Sequence, residues 1–137
     1  MMDLMKSIKI AAAGMKVQGV RLKVISENLA NADSMSPVAG GDPYRRKVVT
    51  FENALSRELG ADLVKVRNID VDTSEFRKNY NPGHPAADKD GYVAMPNVKP
   101  MVELMDMKEA QRSYEANLGV IQAAKTMLQK TIDLLRA

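Results

Sequence analysis

The sequence contains no cysteine and no tryptophan, and it has a single histidine, His84. The absence of cysteine excludes disulfide scaffolds, zinc ribbons, iron–sulfur clusters and cysteine nucleophiles. His84 has no second imidazole or thiolate in the chain with which to hold a metal ion. Nothing signals Ser-His-Asp catalysis, because a G-x-S-x-G elbow is missing. We therefore expect no catalytic residue, no metal site and no cofactor, and predict that the protein is not an enzyme.

Long hydrophobic runs are also missing. The apolar stretch at residues 10–15 is interrupted by Lys9 and Lys16, which makes it too short for a signal-peptide core or a bilayer span. The formal net charge of +3 arises within residues 1–30, and the rest of the chain is balanced. We therefore predict no cleaved secretory signal, no direct membrane insertion and no nucleic-acid partner.

Proline is absent from both ends of the chain. All six prolines lie between Pro37 and Pro100, and a proline inside a helix costs about 3 kcal/mol. This distribution predicts an α+β fold, in which long N- and C-terminal helices pair as a coiled-coil-like unit and a small β-rich insert lies between them. We divide the chain accordingly into residues 1–33, 34–100 and 101–137.

Each predicted helix carries an apolar stripe at heptad spacing. The first helix, over about residues 3–31, alternates steps of four and three residues, and the second, over about residues 102–136, repeats every seven. A stripe of this kind stays in water unless another chain or helix covers it. Gln18 is a polar member, which costs stability but can fix register. The predicted assembly interface is Leu4, Ile8, Met15, Gln18, Leu22, Ile25, Leu29, Met107, Tyr114, Ile121, Leu128 and Leu135.

The middle of the chain predicts short strands joined by turns. Residues 45–51 and 63–71 alternate apolar and polar side chains. Asn81-Pro82-Gly83 and Asp90-Gly91 are turn signals. The predicted β-rich unit covers about residues 43–95 and has a thin core, because aromatic residues make up only 4% of the chain.

Three further motifs have a functional and a structural interpretation. Gly14 and Gly19 have the spacing of a phosphate-binding loop, but the lysine and hydroxyl residue of that loop are missing, and we favour close helix packing or local flexibility. The sequence around Asp88 resembles part of an EF-hand loop without its first and last ligands, so we predict a hairpin turn. The basic run at residues 45–47 could bind phosphate. We favour a solvated strand end or a contact to an acidic neighbouring subunit.

Two tracts at opposite ends of the chain resemble the terminal signatures of bacterial flagellar rod and hook proteins. The first is SENLANAD at residues 26–33, and the second is ELMDMKEAQRSYEAN at residues 103–117. DPYRRKVVTF at residues 42–51, HPAAD at 84–88 and GYVAMPNV at 91–98 resemble the proximal-rod members of that family. One departure from the wider family is the segment 34–42, which separates the first signature from the aromatic-basic strand.

The resemblance implies a structural subunit of the flagellar basal-body rod that polymerises through its terminal helices and transmits torque. It further implies a periplasmic location, export by the flagellar type III apparatus without a cleaved signal peptide, and partners that are other rod proteins and copies of the same chain. The alternative that the amphipathic helices leave open is a soluble coiled-coil adaptor or export chaperone.

Overall fold

A computed structural model describes residues 2–136 as two long helices with short strands between them. The elements in chain order are α1 (Met2–Ala30), β1 (Lys47–Ser56), β2 (Ala61–Val71), β3 (Arg77–Tyr80), β4 (Tyr92–Met95) and α2 (Pro100–Arg136). β1 pairs with β2 and β3 pairs with β4, which gives two separate two-stranded sheets. The predicted α+β class, with a helix at each end and a small strand insert, is confirmed.

The bounds of the helices follow from local chemistry. Pro100 is the first residue of α2, a position where its missing N–H costs no helical hydrogen bond and its fixed φ suits the helix. At the end of α1, the Asn31 side chain donates to the carbonyl of Glu27 at 2.9 Å. The same carbonyl also accepts the Asn31 backbone N–H at 3.1 Å, so one residue caps the last turn with two hydrogen bonds. Both helices begin and end within two residues of the predicted positions.

Each strand pair is joined by a turn, and the sequence signalled the turn between β3 and β4 but not the one between β1 and β2. Gly60 has a φ of 62° and its N–H donates to the carbonyl of Ser56 at 2.8 Å, closing the turn between β1 and β2. β3 and β4 are antiparallel, with Tyr80 opposite Tyr92. Between them, the Asp88 carboxylate accepts the N–H groups of Asp90 and Tyr92, both at 2.9 Å. The hairpin turn predicted at this EF-hand-like segment is confirmed.

The chain divides into two compact units. Unit 1 contains residues 2–22, 50–68 and 108–136 of the described chain. In it α1 and α2 run antiparallel, because Arg21 pairs with Glu109 at 3.3 Å while Gly14 faces Asn117 further along α2. The side chains buried in this unit are small: Ala11, Val17, Ala110 and Ala124.

Unit 2 contains residues 23–49 and 69–107. Its buried apolar side chains are also small, and they are Val24, Ile25, Ala32, Ala86, Val93 and Val98. The largest fully buried side chain is the carboxylate of Glu103, and Asn28 is fully buried as well. Charged side chains are almost never fully buried unless they are paired. Unit 2 is therefore held together by polar contacts as well as by apolar packing.

The two helical glycines Gly14 and Gly119 occupy opposite environments. A Cβ atom at Gly14 would lie 2.7 Å from the Asn117 side-chain nitrogen, whereas a Cβ at Gly119 would meet nothing within 4 Å. The predicted close helix packing is therefore confirmed at Gly14. Gly19 has no such neighbour within 4 Å.

This contrast predicts opposite tolerance of a methyl group. Gly119→Ala is expected to raise the free energy of unfolding by up to about 1 kcal/mol, since alanine is the better helix former. Gly14→Ala is expected to gain less or to lose stability, because Asn117 must move. Thermal unfolding followed by circular dichroism compares the two variants. Equal gains would contradict the packing described for Gly14.

Candidate functional site

The predicted assembly residues differ in burial within the single chain. Ile25 is buried, and Leu135 is 76% exposed. Because Gly14 faces Asn117 in unit 1, the last turn of α2 lies beyond the described start of α1 and has no α1 residue opposite it. The remaining members are half-buried, and they are Leu4, Ile8, Met15, Gln18, Leu22, Leu29, Met107, Tyr114, Ile121 and Leu128. Their contacts with neighbouring subunits stay a prediction.

A second apolar stripe on α2 was missed by the sequence analysis. Val120, Met127 and Leu134 are exposed and recur every seven residues. They stand one position before the predicted members Ile121, Leu128 and Leu135, so both stripes have the same period. The heptad pattern alone does not say which stripe faces the chain's own partner helix. Burial separates Val120 and Met127, which are exposed, from Ile121 and Leu128, which are half-buried, whereas Leu134 and Leu135 are both exposed.

Asn28, in the middle of the first signature tract, lies at the centre of a hydrogen-bond network in unit 2. Its side-chain nitrogen donates to the Lys47 carbonyl at 2.9 Å, and its oxygen accepts the Lys47 N–H at 2.9 Å. The same oxygen accepts the Tyr44 hydroxyl at 2.8 Å. The amide thus matches both backbone groups of the first residue of β1. This arrangement attaches the end of α1 to the start of the strand.

Glu103, the first residue of the second signature tract, joins the same network. One of its carboxylate oxygens accepts from the Asn28 side-chain nitrogen at 3.4 Å. Its other oxygen makes a close hydrogen bond to Nε of Arg46. The Arg46 guanidinium also pairs with Asp72 at 3.4 Å and with Asp106 at 3.8 Å. The two signature tracts therefore meet where Asn28 contacts the buried Glu103 carboxylate, which also pairs with the part-exposed Arg46.

Asn97 extends the network to the end of β2. Its side-chain oxygen accepts the N–H of Arg46 at 2.7 Å. Its nitrogen donates to the carbonyls of Asp72 at 3.0 Å and Ser74 at 3.2 Å. Arg45 donates to the same two carbonyls and stacks over the Phe76 ring at 4.2 Å. Asn97 and Arg45 thus both fix the backbone of the segment that follows β2.

The network shifts the pKa values of several members. The pKa of Asp72 lies below its ordinary value because the Ser74 backbone N–H and hydroxyl donate to the carboxylate, with a further contribution from Arg46. Burial acts to lower the pKa of Arg46, but the hydrogen bonds to Glu103 and Asp72 outweigh it and the pKa is raised. Burial raises the pKa of the Tyr44 hydroxyl. The Arg46 and Asp72 shifts stabilise the charged forms of an ion-pair cluster.

The basic run at residues 45–47 has its acidic partners inside the chain. Arg46 pairs with Glu103 and Asp72, and Lys47 Nζ lies 3.1 Å from the Glu27 carboxylate. The hydrogen bond to Glu27 raises the pKa of Lys47. Arg46 and Lys47 thus have intramolecular acidic partners, and the alternative contact of this run to an acidic neighbouring subunit stays a prediction. Intramolecular carboxylates neutralise them.

His84 Nδ1 accepts the N–H of Ala86 at 3.0 Å, which places the imidazole in a turn. Within the described part of the chain, no group of histidine, aspartate and glutamate side chains is arranged to hold a metal ion. Neither described helix is long and apolar enough to cross a membrane.

The sequence of this chain is similar to a family model and to several known proteins. Residues 89–134 match the family model described as flagellar basal body rod FlgEFG protein C-terminal. The flagellar basal-body rod protein FlgC of Agrobacterium fabrum is 50% identical over 129 residues, which cover 94% of this chain and 93% of the relative. The FlgC proteins of Aquifex aeolicus and Bacillus subtilis are 37% and 36% identical over 97% and 93% of this chain, and over 98% and 95% of their own lengths.

The network predicts a large loss of stability when Asn28 is truncated. Asn28→Ala leaves the Lys47 N–H and carbonyl without their partner, and we expect the free energy of unfolding to fall by about 2–4 kcal/mol. Asn53→Ala, at an exposed position on β1, is the matched control and is expected to change stability by less than about 0.5 kcal/mol. Urea unfolding measures both. A similar small effect for the two variants would contradict the central role of Asn28.

The lowered pKa of Asp72 predicts acid sensitivity. A carboxylate whose folded pKa lies below its unfolded pKa binds fewer protons when folded, so its contribution is present above the unfolded value and is lost as pH falls through the folded value. We expect the stability difference between the parent chain and Asp72→Asn to be largest at neutral pH and to shrink as pH falls below about 4. Urea midpoints at pH 7, 5 and 3 measure this. A difference that stays constant across these pH values would refute the assignment.

Proposed function

The chain belongs to the FlgC family of flagellar basal-body rod proteins, and from this membership we propose how it assembles. It is a structural component of the rod, and the names of its relatives favour this function over a soluble adaptor or export chaperone. In our proposal, residues 1–33 and 101–137 form the inner wall of the tube through their helices. Residues 34–100 form the outward part.

The observation that carries this proposal is the exposed stripe on α2. Val120, Met127 and Leu134 lie open to solvent on a helix whose neighbouring face is already packed in unit 1. Large exposed apolar patches mark interaction sites, and apolar side chains that recur along one exposed helix face are candidates for such a site. Neighbouring rod subunits are the partners that would cover it.

A tubular rod also requires contacts that do not close on themselves. Heterologous contacts join one patch to a different patch and can repeat without limit along a helix. The predicted interface on α1 and α2, from Leu4 to Leu135, and the exposed stripe on α2 supply different faces on one subunit. We propose that these faces bind both copies of this chain and other rod proteins.

The route to the rod is part of the same proposal. We propose that the chain is exported by the flagellar type III apparatus without a cleaved signal peptide and assembles in the periplasm. The small buried residues of unit 1, such as Ala11 and Ala124, support this, because a thin core is compatible with unfolding for passage and with firm packing after assembly. Torque transmission then depends on subunit contacts in the rod.

The proposal predicts that an exposed apolar residue of α2 is needed for assembly and dispensable for folding. Met127→Asp is expected to leave the circular dichroism spectrum of the purified chain unchanged. In cells it is expected to reduce swimming to the level of a strain that lacks the protein.

Gln122→Asp introduces the same charge at an exposed polar position of the same helix and is expected to swim normally. Motility plates and electron microscopy of isolated basal bodies give the readouts. Complete rods in the Met127→Asp strain would count against the proposal.

A further inference from the structure

Two methionines in the first turns of α2 are open to solvent. Met101 and Met105 are 72% and 69% exposed, the highest values among the methionines whose side chains the structure describes. Both belong to unit 2. Residues four apart on a helix are neighbours on one face. Two thioether groups are therefore accessible at one place on the surface.

This pair lies on the side of α2 opposite the hydrogen-bond network. Glu103 is two residues from each methionine, and two residues turn an α-helix by about 200°. Glu103 is fully buried, whereas Val102 and Leu104 are exposed like the methionines. Met101, Val102, Leu104 and Met105 therefore form a small apolar patch, the α2 outer patch, on the far side of the helix from the buried carboxylate.

The composition of the chain makes methionine its main target for peroxides. The chain has ten methionines but neither cysteine nor tryptophan, so no thiol competes for the oxidant. Hydrogen peroxide transfers one oxygen atom to the thioether sulfur. The sulfur loses two electrons and forms an S=O bond, while the O–O bond breaks and the remainder of the peroxide leaves as water. The product, methionine sulfoxide, is polar.

We propose that Met101 and Met105 are the site at which hydrogen peroxide modifies this chain, and that their oxidation makes the α2 outer patch polar while unit 2 stays folded. The peroxide must reach the sulfur, so the most exposed thioethers react first. Met107 on the same helix and Met95 in β4 are only half-exposed. The inference goes beyond the proposed function, because it concerns a modification of the single chain and requires no neighbouring subunit.

Unit 2 is expected to remain folded after this modification. Methionine sulfoxide disrupts a protein when the oxidised side chain belongs to a core. Met101 and Met105 lie outside the core, and Glu103 makes its hydrogen bonds to Asn28 and Arg46 from the opposite side of the helix. Oxidation at this site therefore changes the surface of unit 2 and leaves its packing intact.

Peptide mapping by mass spectrometry tests the position of the site. The purified full chain is incubated with dilute hydrogen peroxide, and samples are quenched with catalase over time. Met95, Met101, Met105 and Met107 all lie in one tryptic peptide, residues 90–108, because the lysine within it precedes a proline. We expect Met101 and Met105 to be oxidised roughly fivefold faster than Met95 and Met107. Equal rates for the four would overturn the assignment.

The unfolded chain is the control for effects of local sequence. The same time course in concentrated urea exposes all four sulfurs equally, and their oxidation rates are expected to converge. If Met101 and Met105 kept their advantage in urea, neighbouring residues rather than the fold would set the rates, and the inference would be wrong.

A matched set of variants tests the change of the surface. Met101→Leu combined with Met105→Leu keeps the patch apolar, with little change in side-chain volume, and removes both thioethers. Met127→Leu removes an exposed thioether from unit 1 instead. Peroxide is expected to shorten the retention of the parent chain and of Met127→Leu on a hydrophobic-interaction column, and to change that of the double variant much less. An equal shift in the double variant would contradict the proposal.

Thermal unfolding followed by circular dichroism tests whether the fold survives. The parent chain is measured after the two fast sites have been oxidised and before Met95 and Met107 react. We expect the unfolding midpoint to be unchanged. A lowered midpoint at this stage would show that the modification reaches the packing of unit 2, and would overturn the second part of the proposal.

Discussion

The pairing of the buried Glu103 carboxylate with Arg46, together with Asn28, is the interaction on which the arrangement of unit 2 depends. Three separate parts of the chain converge there: the end of α1, the segment entering β1 and the first turn of α2. An ion pair that is taken out of water gains little net stability, and removing one partner leaves an uncompensated buried charge. The network therefore acts mainly by selecting one arrangement, because any other register leaves Glu103 unpaired.

The apolar core of both units is thin, and this explains why a network of hydrogen bonds and ion pairs is needed to fix the fold. The buried side chains of both units are mostly alanine and valine, and the larger apolar side chains of α2 are left at the surface. Small buried side chains make a weakly specific core, since several registers would bury similar area. Hydrogen bonds such as those of Asn28 to both backbone groups of Lys47 are directional and accept one register only.

Much of the fold could be predicted from the sequence, because its signals are local. The absence of proline from both ends, the heptad spacing and the turn residues around Gly91 each act within a few neighbouring residues. The network could not be predicted in the same way. Asn28 and Glu103 are 75 residues apart in the chain, and a single sequence carries no signal for a pairing across that distance.

The candidate site was predicted in part for the same reason. The signature tracts were identified by resemblance, but the individual roles of Asn28 and Glu103 within them became visible only through their contacts. The basic run at residues 45–47 was interpreted as a solvated strand end or a contact to a neighbouring subunit. The intramolecular partners of Arg46 and Lys47, which are Glu27, Asp72 and Glu103, come from distant parts of the chain and carry no local signal. The heptad period predicted the spacing of the apolar stripes on α2. The burial of each side chain was needed to distinguish Ile121 and Leu128, which are half-buried, from Val120 and Met127, which are exposed.

Polar and apolar side chains thus have different structural roles in this subunit. Polar groups such as Asn28 and Glu103 are buried and fix which parts of the chain meet, whereas the large apolar groups of α2 are exposed and remain available to neighbours. Gln18 is consistent with this division, because its side-chain oxygen is buried without a hydrogen-bond partner in the described structure. An unsatisfied polar atom costs stability. In the single chain that cost falls on the observed packing of α1, so the role of Gln18 in fixing register stays a prediction that depends on what a neighbouring subunit offers this oxygen.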